Sequence, residues 1–252
     1  MFTKTFVLLV TVVLAFPSFT EGKPKFTVEA LEETPTADAV SEALRAKLAK
    51  NGHRILDRKG KPYIDLWLTS CATTVRPKGE LGLNFSQFGE GSLLGVVRYH
   101  RRIEDFRGQP CAPGFYTCRY AIQPEDGDHQ GTSNSRDFLA LVNAKVDTTP
   151  EAKSAKDLVK LSTKVITSGH PAILYLAEFS EKGEELPRLV EDENAELWLF
   201  ECVVPICPAA EESAADGTKT AGENDKGAGG GKKAKGAEPL RLWIVIDGIA
   251  VE

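Results

Sequence analysis

The chain has 252 residues, of which 42% are hydrophobic, 27% charged and 8% aromatic, and its formal net charge is −5. This composition is that of an ordinary globular protein and excludes a collagen, a coiled coil and a wholly disordered chain. The acidic balance also disfavours a general nucleic-acid binder, because such domains usually carry a basic face. The length indicates one or two domains.

The first 22 residues are typical of an export signal. Lys4 supplies the positive start, an apolar run covers residues 6–16, and Pro17 precedes small and polar residues. That run is about half as long as a membrane-spanning helix needs to be. The sequence therefore predicts a signal peptide at residues 1–22 that is cleaved near Gly22. It also predicts no transmembrane segment after cleavage and a secreted or periplasmic location.

Helices are expected at two places and short strands elsewhere. Apolar side chains recur every three or four positions over residues 36–50, which predicts a helix that Thr36 caps and Gly52 ends. A second short helix is expected within residues 150–164. The β-rich segments are residues 26–34, 64–68, 92–99, 115–122, 138–142, 172–179, 196–204 and 240–251. Short strands separated by regular turn signals predict a mainly β (α+β) fold, a β-sandwich-like domain with an N-terminal helix.

Residues 209–237 have a different character from the rest of the chain. They contain no Val, Ile, Leu or aromatic residue. Such a segment buries too little apolar area to offset the entropy lost on ordering, so it is expected to be disordered. Because residues 240–251 beyond it are strongly apolar, the sequence predicts a disordered insertion within one β-rich domain. That domain comprises residues 23–208 plus 238–252, and its last strand pairs back into the sheet.

The five cysteines are Cys71, Cys111, Cys118, Cys202 and Cys207. Disulfides are allowed in an exported protein. Two local pairs, Cys111 with Cys118 and Cys202 with Cys207, each flank a short turn-like segment and are the disulfide candidates. Sequence alone does not choose the pairing, and buried free thiols are the alternative. No C-x-x-C pair occurs, so a zinc site built from these cysteines is not expected.

The loop at residues 126–137 is the strongest candidate for a metal site. Calcium loops place oxygen ligands at positions 1, 3, 5, 7, 9 and 12, with Gly at position 6. Here Gly131 falls at position 6. The candidate ligands are Asp126, Asp128, Gln130, Thr132 (through its carbonyl), Asn134 and Asp137. Calcium is thus the one cofactor that the sequence suggests. The flanks predict strands rather than EF-hand helices, and the alternative is a polar turn between two strands.

A local group of arginines follows the predicted strand at residues 92–99. It comprises Arg98, Arg101, Arg102 and Arg107, with Glu104 and Asp105 among them. Such a group fits an anionic glycan or phosphate. The alternative is a solvated strand end and loop.

Several short motifs together resemble a known family. They are GSLLGVVRY at residues 91–99, PGFYT at 113–117, QPEDGDHQG at 123–131, RDFL at 136–139 and HPA at 170–172. In this order they resemble a family of uncharacterised exported bacterial proteins, over about residues 50–180. The resemblance implies a secreted bacterial protein with a β-sandwich-like core. No activity, substrate or catalytic residue comes with it.

Two functions remain open at this point. The first is a non-catalytic binding or structural β module with a cell-surface or glycan partner and no nucleic acid. The second is a metal-dependent hydrolase that uses Asp126, Asp128 and His129, which would have to gather with another His or carboxylate in a pocket. The sequence contains no nucleophile elbow of the α/β-hydrolase type, no Walker loop and no dinucleotide-binding fingerprint.

Overall fold

Strands dominate the computed structural model, which describes residues 24–76, 79–124, 135–178, 182–207 and 239–249. Strands make up 43% and helices 7%, so the protein is mainly β, and the predicted fold class is confirmed. The elements in chain order are β1 (Phe26–Leu31), α1 (Glu42–Arg45), β2 (Gly52–Asp57), β3 (Pro62–Leu68), β4 (Leu93–Tyr99), β5 (Ile103–Glu104), β6 (Pro110–Cys111), β7 (Gly114–Ile122), β8 (Asp137–Asn143), α2 (Ala155–Ser162), β9 (Ile173–Tyr175), β10 (Arg188–Asp192), β11 (Leu197–Val204) and β12 (Leu240–Asp247).

Seven strands form an antiparallel sheet in the order β1-β2-β3-β4-β7-β8-β9. The short β5–β6 ribbon lies in the connection between β4 and β7. Side chains alternate between the two faces, as they must in a strand. On β7, Tyr116, Cys118 and Tyr120 belong to the main core, whereas Thr117 and Arg119 bond to Asp147 on the opposite face.

The remaining strands, β10-β11-β12, form a second antiparallel sheet, and side chains from both sheets fill one core. The two sheets meet along both edges. Beyond β9, Leu176 bridges to Ile244 of β12. At the other edge, β1 lies against β10, and the ring of Phe26 in β1 contacts the ring of Trp198 edge-on in the core, with 5.5 Å between centroids. The fold is therefore a β-sandwich whose sheets join at each side. Since β12 pairs with β11, the predicted return of the last strand is confirmed.

Two smaller apolar clusters cover the outer face of the large sheet. In the first, Val40 and Leu44 pack against Trp67 and Val96. In the second, Leu158 of α2 packs against the outer side chains of β8. The predicted second helix is confirmed as α2, whose first turn is capped by the Ser154 hydroxyl accepting from the Asp157 amide.

The N-terminal helix is far shorter than the sequence predicts. The expected helix over residues 36–50 is wrong in its length, because α1 comprises only Glu42–Arg45 and its cap is Ser41 rather than Thr36. The physical reason lies in the backbone after α1. The Ala49 amide donates to the Leu68 carbonyl and Leu48 bridges to Thr69. Pairing with the end of β3 thus replaces the hydrogen bonds that a longer helix would make.

The disulfide also differs from the expected pairs. Cys71 is bonded to Cys207, with Cα atoms 5.1 Å apart, whereas Cys111, Cys118 and Cys202 are buried free thiols. Both local pairings are therefore wrong. Cys118 and Cys202 project from their strands into the core, while the backbone around Ala72 pairs with Pro205 and Cys207 and brings Cys71 alongside. Burial raises the pKa of Cys111 to about 12 and also raises the pKa of Cys118.

Two predicted segments fall outside the described residues, namely the signal peptide at residues 1–22 and the insertion at residues 209–237. Within the described ranges, no helix combines the length and the apolar character that crossing a membrane requires.

Candidate functional site

A pocket of about 460 Å³ opens at one end of the sandwich. It lies where the start of β3, the loop after β4 and the end of β12 come together. Its lining includes Tyr63, Arg101, Arg102, Glu104, Asp247 and Ile249. Charged side chains thus surround a buried aromatic ring, so the pocket suits a polar ligand.

Tyr63 and Asp247 form a hydrogen-bonded pair in the lining. The Tyr63 hydroxyl donates to Asp247 Oδ1 at 3.2 Å, and Lys25 forms an ion pair with Oδ2 of the same carboxylate. Burial and the nearby charge of Asp247 raise the pKa of Tyr63, so the phenol stays protonated and acts as a donor. The charge of Asp247 is thereby already compensated by this chain.

Arg101 forms one wall of the pocket and is held on two sides. Its guanidinium lies over the Tyr63 ring, 4.7 Å from the centroid, and its Nη1 donates to Asp57 Oδ2 at 2.7 Å. Hydrogen bonds from the Lys61 amide and from Arg101 lower the pKa of Asp57, so this carboxylate remains charged. Arg101 is therefore positioned before any ligand arrives.

Arg102 differs from Arg101 in having no partner among the described residues. Its side chain is exposed at the pocket. It forms no hydrogen bond or ion pair with any described residue. Glu104, also exposed in the lining, is likewise unpaired within the part of the chain that the structure describes. Counting only the described residues, the pocket thus offers one unpaired cation and one unpaired hydrogen-bond acceptor.

The arginine group expected from the sequence is divided in the structure. Arg98 lies over the Phe115 ring, 5.1 Å from its centroid. Arg107 pairs with Asp105 at 3.0 Å and donates to the Pro171 carbonyl. Of these four arginines, Arg101 and Arg102 line the pocket, so the structure divides the group and brings two of its members to this site.

Most of the predicted calcium loop lies outside the described residues, including Asp126, Asp128, Gln130, Thr132 and Asn134. His129, which the alternative hydrolase would use, falls there too. In the described ranges, no group of three or more His, Cys, Asp or Glu side chains is arranged to hold a metal ion.

Asp137 is the candidate calcium ligand that the structure describes, and it lies fully buried at the start of β8. Its Oδ1 accepts from the Tyr120 hydroxyl at 2.5 Å and from the Phe85 amide at 3.2 Å. Its Oδ2 accepts from the Asn84 amide at 2.6 Å and from the Ser135 hydroxyl at 3.0 Å. Four donors of this chain therefore occupy the carboxylate, which ties residues 84–85 to the sheet.

Replacing Asp137 with Ala is expected to lower the free energy of unfolding by about 2–4 kcal/mol, because buried donors lose their acceptor. The loss should be equal in EDTA and in millimolar calcium, and urea denaturation under both conditions measures it. A loss that appears only in calcium would contradict a purely internal role for this carboxylate.

A second buried carboxylate, Asp65, organises the outer face of the large sheet. Arg54 contacts it through two nitrogens at 2.7 and 2.9 Å, and His100 Nε2 lies 2.8 Å from its Oδ2. Burial by itself raises the pKa of Asp65, but the hydrogen bonds from Arg54 and His100 outweigh it and the pKa is lowered. A His–Asp pair can orient a general base. No described serine, threonine or cysteine side chain, however, is hydrogen-bonded to His100.

Sequence reasoning found Arg101 and Arg102 but missed the other residues of the pocket and the partner of Arg101. Tyr63 and Asp247 are 184 positions apart, and Asp57 stands 44 positions before Arg101. No local pattern connects these residues, so only the folded chain brings them together.

No protein-family model, curated protein or solved structure matches this chain. The resemblance to a family of exported bacterial proteins therefore stays a prediction, and function has to be argued from the site itself.

Proposed function

We propose that this protein is a non-catalytic binding module of the periplasm or cell exterior, and that its pocket holds the anionic group of a hydroxylated ligand. The observation that carries the proposal is the guanidinium of Arg102, which no described residue pairs, beside a wall already positioned by Arg101. The export signal predicted at residues 1–22 supports the location.

The charges of the lining support an anionic ligand. Asp247 is neutralised by Lys25 and hydrogen-bonded by Tyr63, so it does not compete for Arg102. A guanidinium binds carboxylate, sulfate or phosphate oxygens through two parallel hydrogen bonds. Arg102 is therefore suited to the acidic group of the ligand.

The acceptor groups of the lining support hydroxyl groups on the same ligand. Glu104 is exposed at the pocket beside Arg102, and a carboxylate accepts hydrogen bonds from hydroxyl donors. A molecule that has an acidic group and several hydroxyls satisfies both side chains at once. A sugar acid meets this description, and galacturonate is a simple probe of it.

Arg102→Gln is expected to weaken galacturonate binding by about tenfold or more, because a charge-assisted hydrogen bond is lost. The measurement is an NMR titration of the mature protein with galacturonate, with glucose as the uncharged comparison. Lys156→Gln, which removes one exposed cation from α2, is the matched control and should leave the affinity unchanged.

The proposal fails if galacturonate shifts no resonance of Tyr63, Gly248 or Ile249. It also fails if Arg102→Gln and Lys156→Gln bind this sugar acid equally well.

A further inference from the structure

We infer that the pocket is one end of a longer surface that binds an anionic polysaccharide and continues over the turn between β2 and β3. This inference rests on the proposed function and extends it from a single sugar acid to a chain of them. It is carried by the way the turn is attached to the pocket and by the unpaired charges that the turn presents.

The turn is anchored to the pocket wall through one carboxylate. Asp57 Oδ1 accepts from the amides of Lys59 and Lys61 at 2.9 and 3.0 Å, which closes the turn. Its Oδ2 accepts from Arg101 at 2.7 Å. Because Arg101 lines the pocket, the turn lies directly beside the ligand site and is held there.

The turn presents three cations to which the described part of the chain gives no partner. The side chains of Arg58, Lys59 and Lys61 are exposed, and none of them is hydrogen-bonded or ion-paired to any residue that the structure describes. Together with Arg102 they form a basic rim, a name used here for Arg58, Lys59, Lys61 and Arg102. Four like charges that no described residue compensates repel one another, and a polyanion lying across them removes that repulsion.

The rim stands out against the charge of the whole chain. The protein carries a net charge of −5, so its general surface repels polyanions while this end attracts them. Attraction confined to one end orients an anionic chain with one unit in the pocket and its neighbours over the turn.

The shape and chemistry of this end favour a polysaccharide over a bilayer or a nucleic acid. Proteins that bind a membrane surface insert an exposed apolar face into it. This end of the molecule is instead concave, and the exposed large apolar side chain in its described lining is Ile249. The Phe26 and Tyr63 rings stack on each other with 4.9 Å between centroids, and Arg101 covers Tyr63. These rings are therefore closed to nucleic-acid bases, which bind single-strand sites by stacking on aromatic rings. Glu104 remains suited to sugar hydroxyls.

The test uses polygalacturonate, with neutral dextran as the uncharged polymer. The turn variant Arg58→Gln/Lys59→Gln/Lys61→Gln is compared with the helix variant Lys156→Gln/Lys160→Gln/Lys164→Gln, which removes three exposed cations around α2. Both variants change the net charge equally. Calorimetry at low and at physiological salt gives the affinities. We expect the turn variant to lose about tenfold or more at low salt, with a smaller salt dependence than the wild type, and the helix variant to lose little.

Binding of the single sugar galacturonate distinguishes the pocket proposal from the proposal of an extended surface. Galacturonate should bind the turn variant as it binds the wild type, because the pocket is intact. If the turn variant and the helix variant bind polygalacturonate equally, the extended surface is refuted, while the Arg102→Gln titration still decides the pocket. Tighter binding of phosphatidylglycerol vesicles or of a single-stranded oligonucleotide at equal ionic strength would overturn the polysaccharide assignment.

Discussion

Replacing Arg119 with Met is expected to lower the free energy of unfolding by about 3–5 kcal/mol, because it leaves the buried carboxylate of Asp147 without its main counter-charge. Arg119 and Asp147 are both fully buried on the outer face of β7. The ion pair uses two nitrogens, with Nε 2.5 Å from Oδ2 and Nη2 2.9 Å from Oδ1. Lys153 also pairs with Asp147 at 2.9 Å but stays partly exposed, so its compensation is incomplete.

The same guanidinium holds the segment after β8 against the sheet. Arg119 Nη1 donates to the carbonyls of Gly91 and Glu151, each at 2.8 Å, and Nη2 donates to the Thr149 carbonyl at 2.6 Å. A planar fork with five donors satisfies all these acceptors at once. Arg119→Lys, which retains the charge without the fork, should therefore fall between the wild type and the Met variant.

Urea denaturation at neutral pH measures the loss, and Arg98→Met is the control. Arg98 lies on the neighbouring strand and contacts the Phe115 ring, so its replacement should cost less than about 1 kcal/mol. A loss below that value for Arg119→Met would contradict the assigned role.

The pH dependence provides an independent check. Burial alone raises the pKa of Asp147, but the hydrogen bonds from Arg119 and Thr117 outweigh it and the pKa is lowered. A lowered pKa stabilises the fold above the ordinary Asp value of about 4, and this contribution disappears as the pH falls through the folded-state pKa. The stability gap between the wild type and Arg119→Met should therefore narrow in acid. A gap that widens in acid would contradict the ion pair.

The second large effect is expected from the disulfide. The double variant Cys71→Ser/Cys207→Ser should lower the free energy of unfolding by about 2–5 kcal/mol, because the bond closes a long loop in the unfolded chain. The two cysteines are 136 positions apart. The neighbouring hydrogen bonds, from the Ala72 amide to the Pro205 carbonyl and from the Cys207 amide to the Ala72 carbonyl, remain available in the variant. The fold should therefore persist while becoming less stable.

Two measurements check this prediction. A thiol-reactive dye in denaturant should count three free thiols in the wild type, as Cys111, Cys118 and Cys202 require. A reductant should lower the urea midpoint of the wild type to that of the double variant and leave the double variant unchanged. Five reactive thiols in the unreduced protein would disprove the disulfide bond. A urea midpoint of the wild type that does not change when reductant is added would also disprove it.

The sequence by itself determined the elements whose pattern is local. Residues 115–122 alternate and residues 240–251 are strongly apolar, and the strands observed there are β7 and β12. Turn signals at residues 57–62 likewise predict the turn between β2 and β3. These features follow from side-chain periodicity and turn chemistry, which act over a few residues.

Elements that depend on a distant partner were missed or misjudged. Arg54 and His53 make β2 look polar, yet the partner that accommodates Arg54 is Asp65 on the next strand. The helix over residues 36–50 was overestimated because nothing near Leu48 indicates that its backbone pairs with Thr69. In both cases pairing in the sheet overrides the local preference of the chain.

In the candidate site, too, some features follow from local sequence and others depend on distant residues. Arg101 and Arg102 were recognised as members of a four-arginine group, whereas the contact that holds Arg101 depends on where Asp57 lies. The cysteine pairing was likewise decided by the fold, which places Cys71 beside Cys207 and buries the other three thiols. Composition and periodicity determined a mainly β chain. Tertiary structure decided which charges are paired within the described residues, because pairing requires residues far apart in sequence to lie within hydrogen-bonding distance.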